Sequence, residues 1–209
     1  MSKINQAYDF IFNGIQQGAF KPGYLLKERD IAKELDISRT PVREAFRKLE
    51  ENGLVTFIPY RGVSISAYSK KEIIQLYRVR IALEVLAAEI CAEQKNKNLI
   101  IQLRNILDLA EDATKREKII EIRNINRKFH NAIIEFTNNP FLVNKLRDLQ
   151  AKIDLCMVRS LSNTGRPSNT LEEHKLIALA LKNNDKSKAK ELIKFHIEKS
   201  LENVLLNYK

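Results

Sequence analysis

The chain has 209 residues, 44% of them hydrophobic and 30% charged, with a formal net charge of +10. That length suits one large or two small domains, and the positive balance favours a polyanionic partner. No stretch has the long uncharged apolar run of a spanning helix, and Met1-Ser2-Lys3-Ile4-Asn5-Gln6 opens a mixed amphipathic segment rather than a signal peptide, so a cytoplasmic protein without a membrane partner is expected.

Ile4, Tyr8, Ile11, Phe12 and Ile15 predict a first helix ending near Gly18, followed by a turn at Phe20-Lys21-Pro22-Gly23. Glu28 to Leu35 is a second short helix with Ile31, Ala32 and Leu35 on its apolar face, and Asp36-Ile37 is long enough only for a turn. In the next segment Val42, Ala45, Phe46 and Leu49 recur at i, i+3, i+4, i+7, while Arg39, Arg43 and Arg47 step along another face. Ser38 or Thr40 can cap this helix, Pro41 fits its first turn, and Gly53 stops it. Two short helices joined by a tight turn, the second rich in arginine, form a helix-turn-helix, which lays its second helix in the major groove of DNA. Val55-Thr56-Phe57-Ile58 and Val63-Ser64-Ile65-Ser66 flank Pro59-Tyr60-Arg61-Gly62 as a β-hairpin wing. Acidic residues nearly balance basic ones over 1–66, so a DNA-binding surface there has to come from arrangement rather than bulk charge.

Ala67-Tyr68 is the only linker available, because Ser69-Lys70-Lys71-Glu72 reads as a capping box opening another helix. From there the pattern is helical throughout. Helices are expected from Ser69 to about Gln94, Leu99 to Thr114, Ile119 to Phe136 and Phe141 to about Leu161, with Asn139 capping and Pro140 starting the last of these. Ser162 to Asn169 reads as the longest loop, Thr170-Leu171-Glu172-Glu173 as a second capping box, and Asp185 as the cap of a final helix reaching about Asn207. The expected fold is mainly α: a winged helix-turn-helix of three helices plus hairpin over 1–66, then an all-α six-helix bundle over 67–209. Cys91 and Cys156 sit alone in apolar helical patterns and read as small buried hydrophobes rather than a disulfide pair.

All three histidines, His130, His174 and His196, fall in the bundle. Asn126 and His130 are i, i+4 and share a helix face; His174 is expected in the first turn of the next-to-last helix and His196 inside the last. Apolar neighbours (Leu176-Ile177, Ile193, Ile197) put the imidazoles near the interior, where a polar cluster needs a partner, and neutral imidazole is a good ligand for Zn, Ni, Co or Mn.

The run Gly18-Ala19-Phe20-Lys21-Pro22-Gly23-Tyr24-Leu25-Leu26-Lys27-Glu28-Arg29, then Ile31-Ala32, Ser38-Arg39-Thr40-Pro41-Val42-Arg43-Glu44-Ala45, Leu49-Glu50, Gly53-Leu54-Val55 and Arg61-Gly62-Val63, resembles the N-terminal signature of the GntR family of bacterial transcription regulators. The resemblance implies that Arg29, Arg39 and Arg43 read the major groove, that Ser38 and Thr40 contact phosphate or base, and that Arg61 and Gly62 form the wing tip near the minor groove. Physically, arginine forks suit guanine O6/N7, and hydroxyls with helix N-terminal amides hold phosphates. Asn126-Arg127-Lys128-Phe129-His130, Glu173-His174 and Asp185 to His196 resemble the effector domain of the FadR-like branch (the FCD type), in which an Asp and three histidines hold a divalent metal. All three histidines match, whereas Asn126 replaces the acid. A neutral oxygen binds the metal less tightly and leaves it more net positive charge, which strengthens its pull on an anionic effector. Open coordination positions, with Arg80 or Arg159 as carboxylate clamps, imply a small organic acid as signal.

The function so implied is an operator-binding regulator of repressor type, acting as a homodimer on a pseudo-palindromic site, because one recognition helix reads only a few base pairs. A metal-dependent hydrolase is the first alternative, but there is no HExxH arrangement, Asn126 cannot act as a base, and Glu173 reads as a capping acid. A non-specific architectural DNA binder is the second, and it leaves the bundle without a role.

Overall fold

The computed structural model describes residues 2–157 and 165–206. The chain forms two compact units, Met1–Ser69 with Gln150–Val158, and Lys70–Leu149 with Arg159–Lys209.

The first unit contains α1 (Lys3–Gln16), β1 (Leu25–Leu26), α2 (Glu28–Glu34), α3 (Arg39–Glu51), β2 (Val55–Ile58) and β3 (Gly62–Ile65). Ser2 caps α1 by accepting the Asn5 amide at 3.2 Å, and Ala7, Ile11 and Ile15 form its buried stripe. That stripe joins Val42, Ala45, Phe46 and Leu49 of α3 in one core with Ile31, Leu54 and Val63. The tight turn between α2 and α3 closes with Asp36 at φ 50° and the Ile37 amide donating to Ala32 O at 3.0 Å. Gly53 ends α3 at φ +70°, where a Cβ would stand 2.6 Å from Lys152 Cε and 2.9 Å from the Tyr68 hydroxyl oxygen. The Tyr68 hydroxyl donates to Gly53 O at 2.7 Å, so this glycine serves both conformation and packing.

The sheet has one strand more than the hairpin expected. It runs β1-β3-β2, all antiparallel, with Leu26 opposite Val63 and Val55 opposite Ile65. Two residues are too few to show alternation in the sequence; β1 forms because the free edge of β3 offers it partners. The unit also takes residues from far along the chain: Leu155 lies in its core, and Gln16 Nε2 donates to Asp154 Oδ2 at 3.5 Å.

The second unit is built from α4 (Lys70–Gln94), α5 (Lys97–Lys115), α6 (Ile119–Phe136), the first part of α7 (Pro140–Met157), α8 (Arg166–Lys182) and α9 (Lys186–Leu206). Caps fall where the sequence places them at two junctions: Asn139 Oδ1 accepts the Phe141 and Leu142 amides, and Asp185 Oδ1 the Lys188 amide. α4 packs along α9, α5 against α6 and α8, and α8 against α9. Cys91 and Cys156 are buried and form no disulfide; the Cys91 thiol donates to Ile133 O, and burial pushes it up to about 12. No helix among the described residues is long and apolar enough to cross a membrane.

One helix start differs from expectation. α8 begins at Arg166, after Gly165 at φ +77°, with Pro167 in its first turn, so Thr170-Leu171-Glu172-Glu173 is mid-helix rather than a capping box. Proline at a helix start is already in helical φ and gives up no needed N–H, which extends the helix one turn earlier than the Thr/Glu pattern suggested. His174 consequently lies well inside the helix, not in its first turn. Arg159 and the first three residues of the predicted loop, 162–164, lie outside the described residues, and its last four, 166–169, belong to α8.

Because Leu155 fills the head's core, Leu155→Ala should cost about 2–4 kcal/mol of that unit's stability. Hydrogen exchange of the α1 and α3 amides measures it: exchange there should accelerate while α5 and α6 amides stay protected.

Candidate functional site

α6, α8 and α9 each bring one histidine to the same point. His130, His174 and His196 are all buried, and their ligand atoms lie within 4.8 Å of one another. His196 Nε2 is 3.1 Å from His130 Nε2 and 3.3 Å from His174 Nε2. The His174 ring is fixed by stacking on Phe129 at 3.9 Å.

Behind the rings stand two carboxylates. Glu84 Oε2 is 2.5 Å from His130 Nδ1, and Glu173 Oε2 is 2.6 Å from His196 Nδ1. Each acid is itself held by an arginine: Arg80 Nε donates to Glu84 Oε1 at 2.6 Å, and Arg166 donates to Glu173 through both Nη atoms at 2.7 and 3.1 Å. Two Arg–Glu–His chains thus converge from opposite partners on one pair of Nε2 atoms.

Burial alone would raise the Glu84 carboxyl, but Arg80 and His130 hold it well below the usual range. Burial likewise opposes ionised Glu173, and its bonds from His196 and Arg166 outweigh this. Burial pushes His174 well below its ordinary value, with the neighbouring histidines adding to the effect. Burial takes His196 down to about 4 against the opposing pull of Glu173. The ionised carboxylates accept from the Nδ1–H of His130 and His196, an arrangement that in the neutral ring leaves the lone pair on Nε2.

This donor set fits a metal ion. Two lone pairs 3.1 Å apart repel each other unless a cation or proton lies between them. Nitrogen ligands ~2.1 Å from a metal stand ~3.0 Å apart at right angles and ~3.4 Å apart at tetrahedral angles, which brackets the observed 3.1 and 3.3 Å. Carboxylates that fix the tautomer of ligating histidines are the usual outer support of such centres. Asn126 is buried one turn before His130, and its side chain makes no hydrogen bond among the described residues.

Arg80 lies beside the cluster with its Nε committed to Glu84. Two residues that matter here were not picked out in the sequence, and a third, Glu173, was read there in another role. Glu84 and Arg166 carry no motif, although Arg80 and Glu84 at i, i+4 within the otherwise apolar stripe of α4 are a sign of a buried charged partner. Glu173 is not a capping acid; it turns away from its neighbour His174 to reach α9.

In the head, Arg29, Ser38, Arg39, Thr40, Arg43, Arg61 and Gly62 are all exposed. Ser38 is the N-cap residue of α3, and its side chain makes no capping bond. Arg43 is clasped by Glu28, with Nε to Oε1 and Nη2 to Oε2 both at 2.9 Å. Tyr60, at φ 61°, and Arg61 form the exposed wing tip.

Similarity to known proteins runs along the whole chain. The gntR family of bacterial regulatory proteins matches residues 3–65 and the FCD domain residues 75–199. The HTH-type transcriptional regulator YdhC of Bacillus subtilis is 32% identical over 201 residues, covering 96% of this chain and 88% of that protein. The HTH-type transcriptional repressor RspR of Escherichia coli is 26% identical, covering 95% and 87%. The solved structure of E. coli McbR/YncC superposes with a TM-score of 0.85 at 24% identity over 100% of both chains, which shows the shared fold. The chain is a GntR-family transcriptional regulator with an FCD effector domain.

Proposed function

We propose that this regulator is controlled by a small organic acid bound at a divalent transition metal, Zn, Ni, Co or Mn, in its helical domain. The observation that carries the reading is the convergence of three buried Nε2 atoms, two of them backed through Nδ1 by ionised carboxylates. His130, His174 and His196 are the ligands, with Asn126 as a neutral fourth donor from the same face as His130. When bound, the ion supplies a fixed positive charge and open positions for carboxylate oxygens. Glu84 and Glu173 hold His130 and His196 by their Nδ1 atoms and so fix tautomer and aim, burial keeps His196 neutral against the pull of Glu173, and Arg80 holds Glu84 beside the position of an incoming anion. Arg159 is kept as a second clamp on the sequence resemblance alone.

The division of labour follows the sequence: residues 1–66 bind DNA, and 67–209 bind effector and dimerise. Arg29, Arg39 and Arg43 read base edges, Ser38 and Thr40 hold phosphates at the N-terminus of α3, and Arg61 and Gly62 bring the wing against the minor groove. A homodimer presents two such heads to a pseudo-palindromic operator in the cytoplasm. Because the three histidine ligands come from three different helices, effector binding shifts α6, α8 and α9 together, and that differential contact is what couples it to operator affinity. A hydrolytic role for the same cluster is disfavoured, since both nearby carboxylates are spent on histidine and arginine and neither is free to take a proton from water.

Metal analysis of the purified protein should give one divalent ion per chain, and His174→Ala should abolish it while the head stays folded. Glu173→Gln should weaken the ion by about 10–100-fold, measured by competition with a chromophoric chelator. An unchanged affinity in both variants would remove the proposed ligand set. In gel shifts, operator affinity should respond to chelation and to at least one candidate acid; indifference to all of them would rule out the switch. Arg43→Ala should lower operator affinity by about ten- to a hundredfold and relax preference at one base pair per half-site, as read by binding to a panel of single-base operator variants.

A further inference from the structure

We infer that Glu28 is a positioning residue for base recognition: it fixes the guanidinium of Arg43 edge-on, so that Arg43 reads a guanine and does not fall onto the phosphate backbone. The inference rests on the assignment of Arg43 to the major groove.

The geometry is specific. Glu28 takes the Nε edge of the guanidinium through two bonds of 2.9 Å, one to each carboxylate oxygen. That uses Nε–H and one N–H of Nη2. Three N–H groups remain, and one on each Nη forms the end-on fork that matches the O6 and N7 acceptors of guanine. The pair spans 15 residues of sequence, from the first residue of α2 to α3, so it orients the recognition side chain from a second element.

Glu28 is itself held in place. It is less exposed than Arg43, with 27% of its side-chain surface open against 54%, and it lines a groove with Lys27, Phe46, Phe57 and Arg61. At the start of α2 its charge meets the positive end of the helix dipole. The Arg43 bond and burial oppose each other at its carboxyl, and the bond prevails, so Glu28 stays ionised at neutral pH. Other arginines of the head differ: Arg29 and Arg47 each make a single bond, to Asp30 at 3.3 Å and to Glu44 at 3.1 Å.

Two consequences separate positioning from mere surface pairing. A carboxylate beside the fork repels phosphate, so Arg43 contributes to base preference and little to the salt dependence of binding. Without Glu28 the same arginine is a mobile cation, which binds any phosphate and reads no base.

The test uses the full-length protein and in-vitro selection from a random-sequence duplex pool, followed by binding to the selected site and to random DNA across a salt series. For the wild type, one guanine per half-site should be lost from the selected motif on Arg43→Ala. Glu28→Ala should weaken preference at that same position by about tenfold and leave the other positions unchanged. It should also raise affinity for random DNA and steepen the salt dependence. Glu28→Gln, which keeps the shape and one acceptor, should give an intermediate result, and Glu28→Ala should add nothing at that position in the Arg43→Ala background. If Arg43→Ala removes the guanine and both Glu28 variants keep it, positioning is overturned. A loss spread evenly over all positions, or a shallower salt dependence, also overturns it. If Arg43→Ala leaves the motif intact, the base-reading assignment itself fails.

Discussion

Two carboxylates in the middle of a helical bundle are an expensive choice, and the arrangement of the effector domain follows from how that cost is met. Glu84 is almost wholly buried, as are Arg80, His130 and His196. An isolated charge at such a depth is untenable, so each acid is closed on one side by an arginine and on the other by an imidazole N–H. The guanidinium and carboxylate charges cancel within each chain. What faces the centre is then a set of imidazole rings with their Nε2 atoms turned toward one another, and a cation placed there would carry the net charge of the site.

This closed charge ledger alters the reading of Arg80. As a surface-like clamp it would offer its whole fork to a ligand, whereas its Nε is already given to Glu84. Its first task is to keep Glu84 ionised, and through Glu84 to keep His130 in the tautomer that leaves Nε2 open. An ion bound there, as proposed, would supply most of the site's pull on an anion. Asn126 would matter for the same reason: an acid there would offset part of such an ion's charge, and an amide would leave it in place.

The parts of this protein that were legible in the sequence are those fixed by local chemistry. The α3 stripe of Val42, Ala45, Phe46 and Leu49, the caps at Asn139 and Asp185, and the inward placement of histidines flanked by apolar residues all depend on neighbours within a turn or two, whereas the meeting of the three histidines at one point was implied by the family resemblance. The parts that were not legible depend on distant partners. β1 exists because the edge of β3 is there to pair with Leu25 and Leu26. Leu155 sits on a helix that starts in the other unit yet fills the core of the head. Glu173 carries a plausible local role, the capping acid, and loses it because Gly165 and Pro167 start the helix earlier. Glu84 has no local signature beyond its spacing from Arg80, and only tertiary packing shows that both face inward.

The same logic, an acid that disciplines a base, recurs in the first unit under opposite solvent conditions. In the head the pairs are exposed, so each is individually weak and screened by salt. Their value lies in direction. With acids nearly matching bases over 1–66, the head has little bulk attraction for DNA, and most of what it gains must come from correctly placed donors. A bidentate clasp such as Glu28 on Arg43 narrows one donor to a single plane, while a single bond such as Arg47 to Glu44 leaves its guanidinium freer to swing. On the proposed assignment of the arginines, low net charge and fixed guanidinium groups would act together, the first suppressing binding to arbitrary sequence and the second preserving binding to the right one.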